Sequence, residues 1–359
     1  MLLLSALLVG CEQGPAAPQG FAGLGGAAQG FAAVTPGHAL RFPRDHGPHP
    51  DHRIEWWYVT ANLEDEQGRS WGLQWTLFRS ALAPDSDAAG WDNATVWMGH
   101  AGLTGPDGHR HGETLARGGI GQAGVSAAPF KAWIDDWQLA GTLANRSAGD
   151  AIAAPETTDL QLRARGADFA YRLQLSSDKP LVLQGDRGFS QKSGQGQASY
   201  YYSHPFLQAQ GSVELDGKTY RVKGQAWLDR EWSSQPLAAD QQGWDWFSLH
   251  LAGGAKLMLF QLRHADGRHY RAGTWVDAAG VGQPLGSEDF QLEPLAYSRV
   301  AGRRLPIRWA LSVPGKGLAL TSEPLREDAW MATRFPYWEG PIRLSGSHPG
   351  MGYLEMTGY

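Results

Sequence analysis

Most of the chain consists of short runs in which apolar and polar residues alternate. In residues 71–79 every second residue is apolar, which places these side chains on one face of an extended strand, and residues 257–263 form a similar run. The four apolar residues of the first run are Trp71, Leu73, Trp75 and Leu77. Glycine-containing turn signals separate such runs, including Asp-Gly steps at residues 107–108, 216–217 and 266–267. The pattern predicts an all-β chain of antiparallel strands, in which residues 157–164 fit either a helix or a strand.

Two parts of the chain share a weak common pattern. A tyrosine, a proline and a glycine precede Trp227-Leu228-Asp229, and the same three residue types precede Tyr353-Leu354-Glu355. We therefore expect two related antiparallel barrels, because closing each sheet on itself removes its exposed edges. Trp227 and Tyr353 should then occupy equivalent closing strands, and the two barrels should meet near residues 225–242.

The N-terminal residues carry the features of a lipoprotein signal. Residues 2–9 are an apolar run too short to span a bilayer, and Gly10 then precedes Cys11, the only cysteine. Residues 8–11 resemble a bacterial lipobox, in which the cysteine becomes the lipidated first residue of the mature chain. We therefore expect a signal peptide with lipobox at residues 1–11, and a lipid on Cys11 that anchors the protein in the cell envelope, facing the periplasm or the exterior. The alternative is a buried N-terminal strand with an unmodified cysteine.

Composition separates a tether from the rest of the chain. Residues 12–37 are mainly Gly, Ala, Pro and Gln, which predicts a flexible tether with a reach of roughly 25–30 Å. The remaining residues, about 320, exceed one small barrel and predict two domains. The net charge is 31 − 36 = −5 without a basic block, so we expect no nucleic-acid surface.

Four short segments place tryptophan or tyrosine beside carboxylates, at residues 55–58, 227–232, 243–247 and 337–340. A buried indole needs an acceptor for its N–H, so these segments predict an aromatic pocket with a few fixed polar groups, although ordinary cross-strand packing is the alternative for each ring. Along the strand Trp244 and Trp246 share one face while Asp245 points to the other, toward a pairing arginine. The predicted ligand-binding residues are Glu55, Trp57, Tyr58, Tyr201, Trp227, Trp232, Trp244, Trp246, Tyr337 and Trp338.

The sequence gives little support for a common hydrolase. It has no His-Glu-x-x-His string, and we expect neither a metal nor a cofactor. The Gly-x-Ser-x-Gly string at residues 68–72 joins a turn signal to the alternating run at 71–79, so it lacks the strand-to-helix elbow that an α/β hydrolase needs. The histidines at positions 38, 46, 49 and 52 are interpreted as surface or docking residues. Acid-catalysed hydration of an isoprenoid double bond needs only a protonated carboxyl in an apolar pocket, aromatic faces and a positioned water. Asp229 and Glu231 are the preferred acids, with Glu55 and Asp245 as further candidates; alternatively, these acids pair with arginines and close the barrels.

Taken together, several segments resemble the AttH/CrtC-like family. They are residues 55–58, 199–203, 227–232, 243–247, 337–340 and 352–359, and the resemblance extends from about residue 45 to the C-terminus. It implies two consecutive lipocalin-like, calycin-type barrels, which we expect at residues 38–235 and 236–359. The family includes carotenoid 1,2-hydratases and secreted lipoproteins linked to ABC transporters. Residues 230–232, Arg-Glu-Trp, depart from the hydratase branch and favour the lipoprotein branch.

The sequence thus predicts a membrane-tethered, lipocalin-like lipoprotein that binds an apolar or amphipathic ligand of the lipid or isoprenoid type, in association with an envelope ABC transporter. One alternative is an enzyme, either a hydro-lyase similar to the carotenoid 1,2-hydratases or a hydrolase acting on a related lipid. Another is an assembly factor for a transport complex that binds no ligand.

Overall fold

The structure, a computed structural model, describes residues 21–26, 28–84, 86–145 and 157–359. Residues 1–11, with Cys11, and the first part of the predicted tether lie outside these ranges. None of the helices in the described ranges is long and apolar enough to cross a membrane. They are short 3-10 helices at Phe21–Gly23, Arg44–His46, Gly90–Asp92 and Pro314–Lys316. The fold is all-β and contains two antiparallel sheets, one nearly closed barrel and one half-barrel, which confirms the predicted fold class.

The first barrel is a sheet of thirteen strands within the described chain. They are β1 (Ile54–Asp65), β2 (Ser70–Ala81), β3 (Thr95–Gly105), β4 (Gly108–Arg117), β5 (Ala123–Ala127), β6 (Phe130–Ile134), β7 (Trp137–Thr142), β8 (Thr158–Arg165), β9 (Phe169–Ser177), β10 (Val182–Leu183), β11 (Phe189–Gln191), β12 (Ala198–Leu215) and β13 (Lys218–Ser233). The segment at 157–164, which fits helix or strand by pattern, is therefore strand β8. Arg110 of β4 pairs with Asp168 in the turn between β8 and β9, with 2.7 Å from Nε to Oδ2, and helps the sheet to close.

The half-barrel contains the ten strands of the second sheet in the described chain. They are β14 (Gln241–Leu251), β15 (Lys256–His264), β16 (His269–Val276), β17 (Gly282–Leu285), β18 (Gln291–Val300), β19 (Arg303–Val313), β20 (Leu318–Pro324), β21 (Trp330–Met331), β22 (Tyr337–Gly346) and β23 (Gly350–Met356). Residues 234–240 connect the two sheets, and the predicted domain boundary at 235/236 falls in this connection.

The strand order of the two sheets is the same over most of their length. The first sheet reads β4-β3-β2-β1-β13-β12-β9-β8-β7, followed by β6 and β5, and the second reads β17-β16-β15-β14-β23-β22-β20-β19-β18. In both sheets the last strand pairs with the first. Trp227 of β13 lies opposite Thr60 of β1, and Tyr353 of β23 lies opposite Ser248 of β14. Trp227 and Tyr353 therefore occupy equivalent positions, as the duplication pattern predicts.

Three apolar clusters hold the molecule together. Two of them fill the interiors of the first barrel and the half-barrel, and the third lies between the two sheets. The alternating run of β2 behaves as predicted, because Trp71, Leu73, Trp75 and Leu77 all lie in the first interior. In β15, by contrast, both faces are buried, since Leu257 and Leu259 face the half-barrel interior while Met258 and Phe260 face the junction. This strand separates one core from the other.

The described part of the predicted tether packs on the folded domains. Leu24 is buried in the junction cluster, the ring of Phe21 lies 5.4 Å from that of Trp244, and the amide of Thr35 donates to the hydroxyl of Tyr200 over 3.0 Å. A few large apolar residues in an otherwise small-residue segment supply this contact, and average composition conceals them. Residues 21–26 and 28–37 are therefore part of the folded structure instead of a free tether.

Candidate functional site

A cavity of about 160 Å³ lies between the outer faces of the first barrel and the half-barrel. Strand alternation creates its walls, because Trp57 points into the first barrel while its neighbours Trp56 and Tyr58 point out toward the second sheet. Trp244 and Trp246 of β14 form the opposite wall. The volume is close to that of an apolar protein cavity that accepts benzene. The cavity can thus take one ring or a branched apolar group.

Asp229 is the most strongly held carboxyl on the cavity wall. The hydroxyls of Tyr201 and Ser203 donate to it over 2.7 and 2.5 Å, and the indole N–H of Trp227 donates over 2.6 Å. Burial raises the pKa of Asp229 from 3.8 to about 7, although these three hydrogen bonds oppose the shift and the nearby Glu231 adds to it. A large fraction of Asp229 is therefore a neutral carboxylic acid at neutral pH.

Glu355 supplies a second acid from the half-barrel. It is half-buried because it lines the cavity, and the indole N–H of Trp244 donates to its Oε2 over 3.1 Å. Burial raises the pKa of Glu355 to about 7, with further contributions from Glu231 and Asp229. Two acids with similar proton affinity thus face one apolar space from different sheets.

Glu339 lies deeper, directly opposite Glu355 on the neighbouring strand β22. The hydroxyl of Tyr58 donates to its Oε1 over 2.7 Å, while Oε2 has no hydrogen-bond partner within the described ranges. Burial, and then repulsion from Glu355, raise the pKa of Glu339 well above its ordinary value. Glu339 is therefore a neutral acid behind the cavity wall.

Charged and polar groups close the remaining sides of the cavity. Lys192 pairs with Glu231 over 2.8 Å, and its ammonium lies 4.3 Å from the centre of the Phe260 ring. At the other side, Nδ1 of His100 lies 2.9 Å from the hydroxyl of Tyr337. Burial lowers the pKa of His100, so that the imidazole is neutral at pH 7. The cavity therefore combines apolar rings with one ion pair and two titrating acids.

The two walls are related by the duplication. Tyr58 lies opposite Asp229 in the first sheet, and Trp246 lies opposite Glu355 at the same place in the second. Each of these two aromatic residues also forms a hydrogen bond with the other sheet. Tyr58 donates to Glu339 of the second sheet, and Trp246 donates over 3.3 Å to the hydroxyl of Tyr201 in the first. The site is thus formed jointly by the two sheets.

The structure brings several predicted site residues together. Both predicted acids and half of the predicted ligand-binding residues line the cavity, namely Asp229, Glu231, Tyr58, Tyr201, Trp244, Trp246 and Tyr337. Asp245 lies on the opposite face, where Arg263 pairs with it over 2.6 Å and where Gln261 and Tyr359 also donate to it. This arrangement agrees with the alternation along β14.

Other predicted ligand-binding residues do not reach the cavity. Trp227 is buried behind Asp229, and Trp338 is buried in the half-barrel, where its N–H donates to the Glu327 carbonyl. Trp57 and Trp232 lie inside the first barrel. Trp57, Trp232 and Trp338 differ from the lining residues because they stand on the inner face of their strands, whereas Trp227 lies in the junction cluster.

Glu55 likewise belongs to the interior of the first barrel, where it is fully buried. Arg79 pairs with it over 3.1 Å, Arg230 also pairs with it, and His49 approaches its carboxylate to 3.2 Å. Burial opposes ionisation of Glu55, but these partners outweigh burial and lower its pKa. Glu55 is therefore an ionised structural residue and not a candidate acid.

The histidines near this cluster are not surface residues. His46, His49 and His52 are buried, and the ring of His49 stacks on Trp232 with 4.0 Å between centres. His46 and His52 pack against the rings of Phe130, Tyr202 and Tyr200 in the first barrel. No group of residues within the described ranges has the arrangement of a metal site.

Sequence reasoning missed several residues of the cavity wall. Trp56 shares a face with Tyr58 and could be found by alternation, and Glu355 matches Asp229 in the repeated aromatic-Leu-acid step. Lys192 and His100 stand in segments without a distinctive pattern, and only the tertiary structure brings them to the cavity.

The sequence and the fold both match known proteins. The AttH-like family model matches residues 33–359, and the chain belongs to this family. A crystal structure of a candidate AttH from Nitrosomonas europaea is 34% identical, covers 92% of this chain and 100% of its own, and has a TM-score of 0.78. No functionally curated protein matches the sequence.

Two more distant structures share the fold. Kievitone hydratase from Nectria haematococca is 14% identical and covers 91% of this chain and 96% of its own, with a TM-score of 0.65. CghA, solved with Sch210972, is 13% identical and covers 92% of this chain and 97% of its own, with a TM-score of 0.54. At these identities the likeness concerns the fold alone.

Proposed function

We propose that the cavity binds an apolar or amphipathic small molecule and that Asp229 acts on it as a general acid, adding water to a carbon–carbon double bond. The observation that carries this proposal is the environment of Asp229. Three donors fix its carboxyl at the wall of an apolar cavity, and burial raises its pKa to about 7. An acid with a pKa near the working pH is both protonated and able to give up its proton.

The reaction needs a place for positive charge as well as an acid. When Asp229 protonates one alkene carbon, the other carbon becomes a cation. The rings of Tyr58 and Trp246 both line the cavity and pack edge to face, with 5.3 Å between their centres and 84° between their planes. Aromatic faces attract cations, and this attraction is strongest where water is excluded. These two rings therefore favour charge development beside Asp229.

A water molecule then adds to the cation, and one proton must leave it. The carboxylate of Asp229 can take this proton back, and Glu355 is a second acceptor, because its pKa is also raised to about 7. In sum, one water is added and the acid is regenerated. The shared fold of kievitone hydratase supports a reaction of this type but does not identify the substrate.

The location of the protein belongs to the same proposal. Residues 8–11 resemble a lipobox, and the ten residues from Cys11 to Phe21 span at most about 35 Å. Phe21 lines the cavity, so a lipid on Cys11 would hold the cavity near a membrane surface that contains apolar substrates. An association with an envelope ABC transporter rests on the family resemblance alone.

Incubation in ¹⁸O-labelled water tests the function. The full-length protein is offered a panel of isoprenoid alcohols with terminal double bonds, and mass spectrometry detects products that contain one labelled water. We expect turnover by the wild type that falls as the pH rises through about 7, since Asp229 must be protonated. Asp229→Asn should lose turnover, while the exposed control Asp328→Asn should keep it.

The same experiment separates an enzyme from a binding protein. Substrates that bind to the wild type without gaining label would contradict the catalytic role of Asp229 and leave a binding function. Turnover that persists in Asp229→Asn would assign the acid to another residue.

A further inference from the structure

An apolar row continues from the cavity across the outer face of the first barrel. Trp56 of β1 lies opposite Phe78 of β2, Phe78 lies opposite Met98 of β3, and Met98 lies opposite Leu115 of β4. The first three residues line the cavity, whereas Leu115 is outside it and 38% exposed. Three steps between neighbouring strands correspond to about 14 Å. The row therefore leads from the cavity to the edge of the sheet, because β4 is an edge strand.

The neighbouring row on the same face has a different character. It consists of Tyr58, Thr76, His100 and Glu113, in register across the same four strands. The half-barrel covers this polar row, since the hydroxyl of Tyr337 lies 2.9 Å from His100 and the amide of Arg334 donates over 2.9 Å to Glu113. The apolar row, in contrast, ends at the exposed side chain of Leu115.

This arrangement is unusual for an outer sheet face. A solvated face normally carries polar side chains, and the polar row would suit that position. Phe335, which is 38% exposed, borders the cavity on the side of the half-barrel and adds another apolar surface. The apolar side chains thus form a strip that is open to solvent at one end and to the titrating acids at the other.

We propose that the row Trp56, Phe78, Met98 and Leu115 binds the apolar chain of a ligand whose polar or unsaturated end lies at Asp229 and Glu355. The ligand is then an amphipathic molecule with a hydrocarbon chain of about 14 Å beyond its reactive end. This inference rests on the proposed function, because the cavity must hold the other end of the same molecule.

Binding of a homologous series tests the proposal. The probes are 4-n-alkylphenols from ethyl to dodecyl, titrated calorimetrically into the full-length Cys11→Ser protein, which lacks the predicted lipidation site. The affinity should rise about fourfold for each methylene that becomes buried, and the rise should stop when the chain has passed Leu115. In Leu115→Gln, long-chain phenols should lose at least fourfold in affinity, while ethylphenol should bind as before, because Leu115 lies outside the cavity.

Met351→Gln is the matched control, because Met351, like Leu115, lies in a strand outside the cavity and is 38% exposed. It should leave the whole series unchanged. The proposal is overturned if Leu115→Gln and Met351→Gln give the same chain-length dependence as the protein that carries neither substitution. Short phenols that bind without any gain from longer chains would also overturn it, although the proposed function would stand. Failure of every phenol to bind would overturn both.

Discussion

Replacing Asp229 with asparagine should change how the stability of the protein depends on pH. Burial raises the pKa of this carboxyl from 3.8 to about 7 in the folded protein. Between these two pH values the folded state holds a proton that the unfolded chain releases. The contribution of Asp229 to stability is thus fully present below pH 3.8 and is lost as the pH rises through about 7.

The size of the effect follows from the same two values. They differ by 7 − 3.8, or about 3 pH units, and each unit corresponds to ~1.4 kcal/mol. The wild type should therefore lose up to about 4 kcal/mol of unfolding free energy over this range. The asparagine side chain does not titrate, but its amide cannot accept all three hydrogen bonds from Tyr201, Ser203 and Trp227, which costs about 1 kcal/mol.

The variant should accordingly be less stable than the wild type at pH 4 and more stable at pH 8. Urea unfolding of both proteins at intervals between these pH values measures the difference directly. Glu339 and Glu355 are present in both proteins, so most of their own titration cancels. A difference that stays constant from pH 4 to pH 8 would refute the raised pKa and, with it, the role of Asp229 as a neutral acid.

Two further predictions concern residues outside the cavity. Asp245→Asn should lower the unfolding free energy by about 3 kcal/mol, because it leaves Arg263 without its buried ionic partner. Urea unfolding measures this loss, and an unfolding curve like that of the wild type would contradict it. Cys11→Ser should move the protein from the membrane fraction to the soluble or unprocessed fraction of cells, and continued fractionation with membranes would show that the lipid is not the anchor.

Local pattern predicts much of the fold because its signals act over a few residues. The alternation in β2 gives a face that is buried in the first barrel, and the Asp-Gly step at 216–217 forms the turn between β12 and β13, with φ of 49° and 74°. The repeated aromatic-Leu-acid step likewise places Trp227 and Tyr353 in equivalent strands. Each of these features depends on neighbours in sequence or on a simple repeat.

The site is harder to predict, since it depends on which face of a strand meets the other sheet. Glu55 and Trp57 belong to the same segment as Tyr58, but alternation sends them into the first barrel. The sequence does not reveal that the cavity lies outside both sheets. Glu55 also gains its ionised state from Arg230, which is 175 residues away in sequence.

The exchange of side chains between the two sheets has an evolutionary consequence. Tyr58 of the first barrel donates a hydrogen bond to Glu339 of the half-barrel, and Trp246 of the half-barrel donates one to Tyr201 of the first barrel. A gene encoding either half alone would lose a partner for a buried polar group and half of the cavity wall. After duplication the two copies could thus diverge in their acids, aspartate in one and glutamate in the other, but they could no longer separate. Selection therefore acts on the pair as one heritable unit.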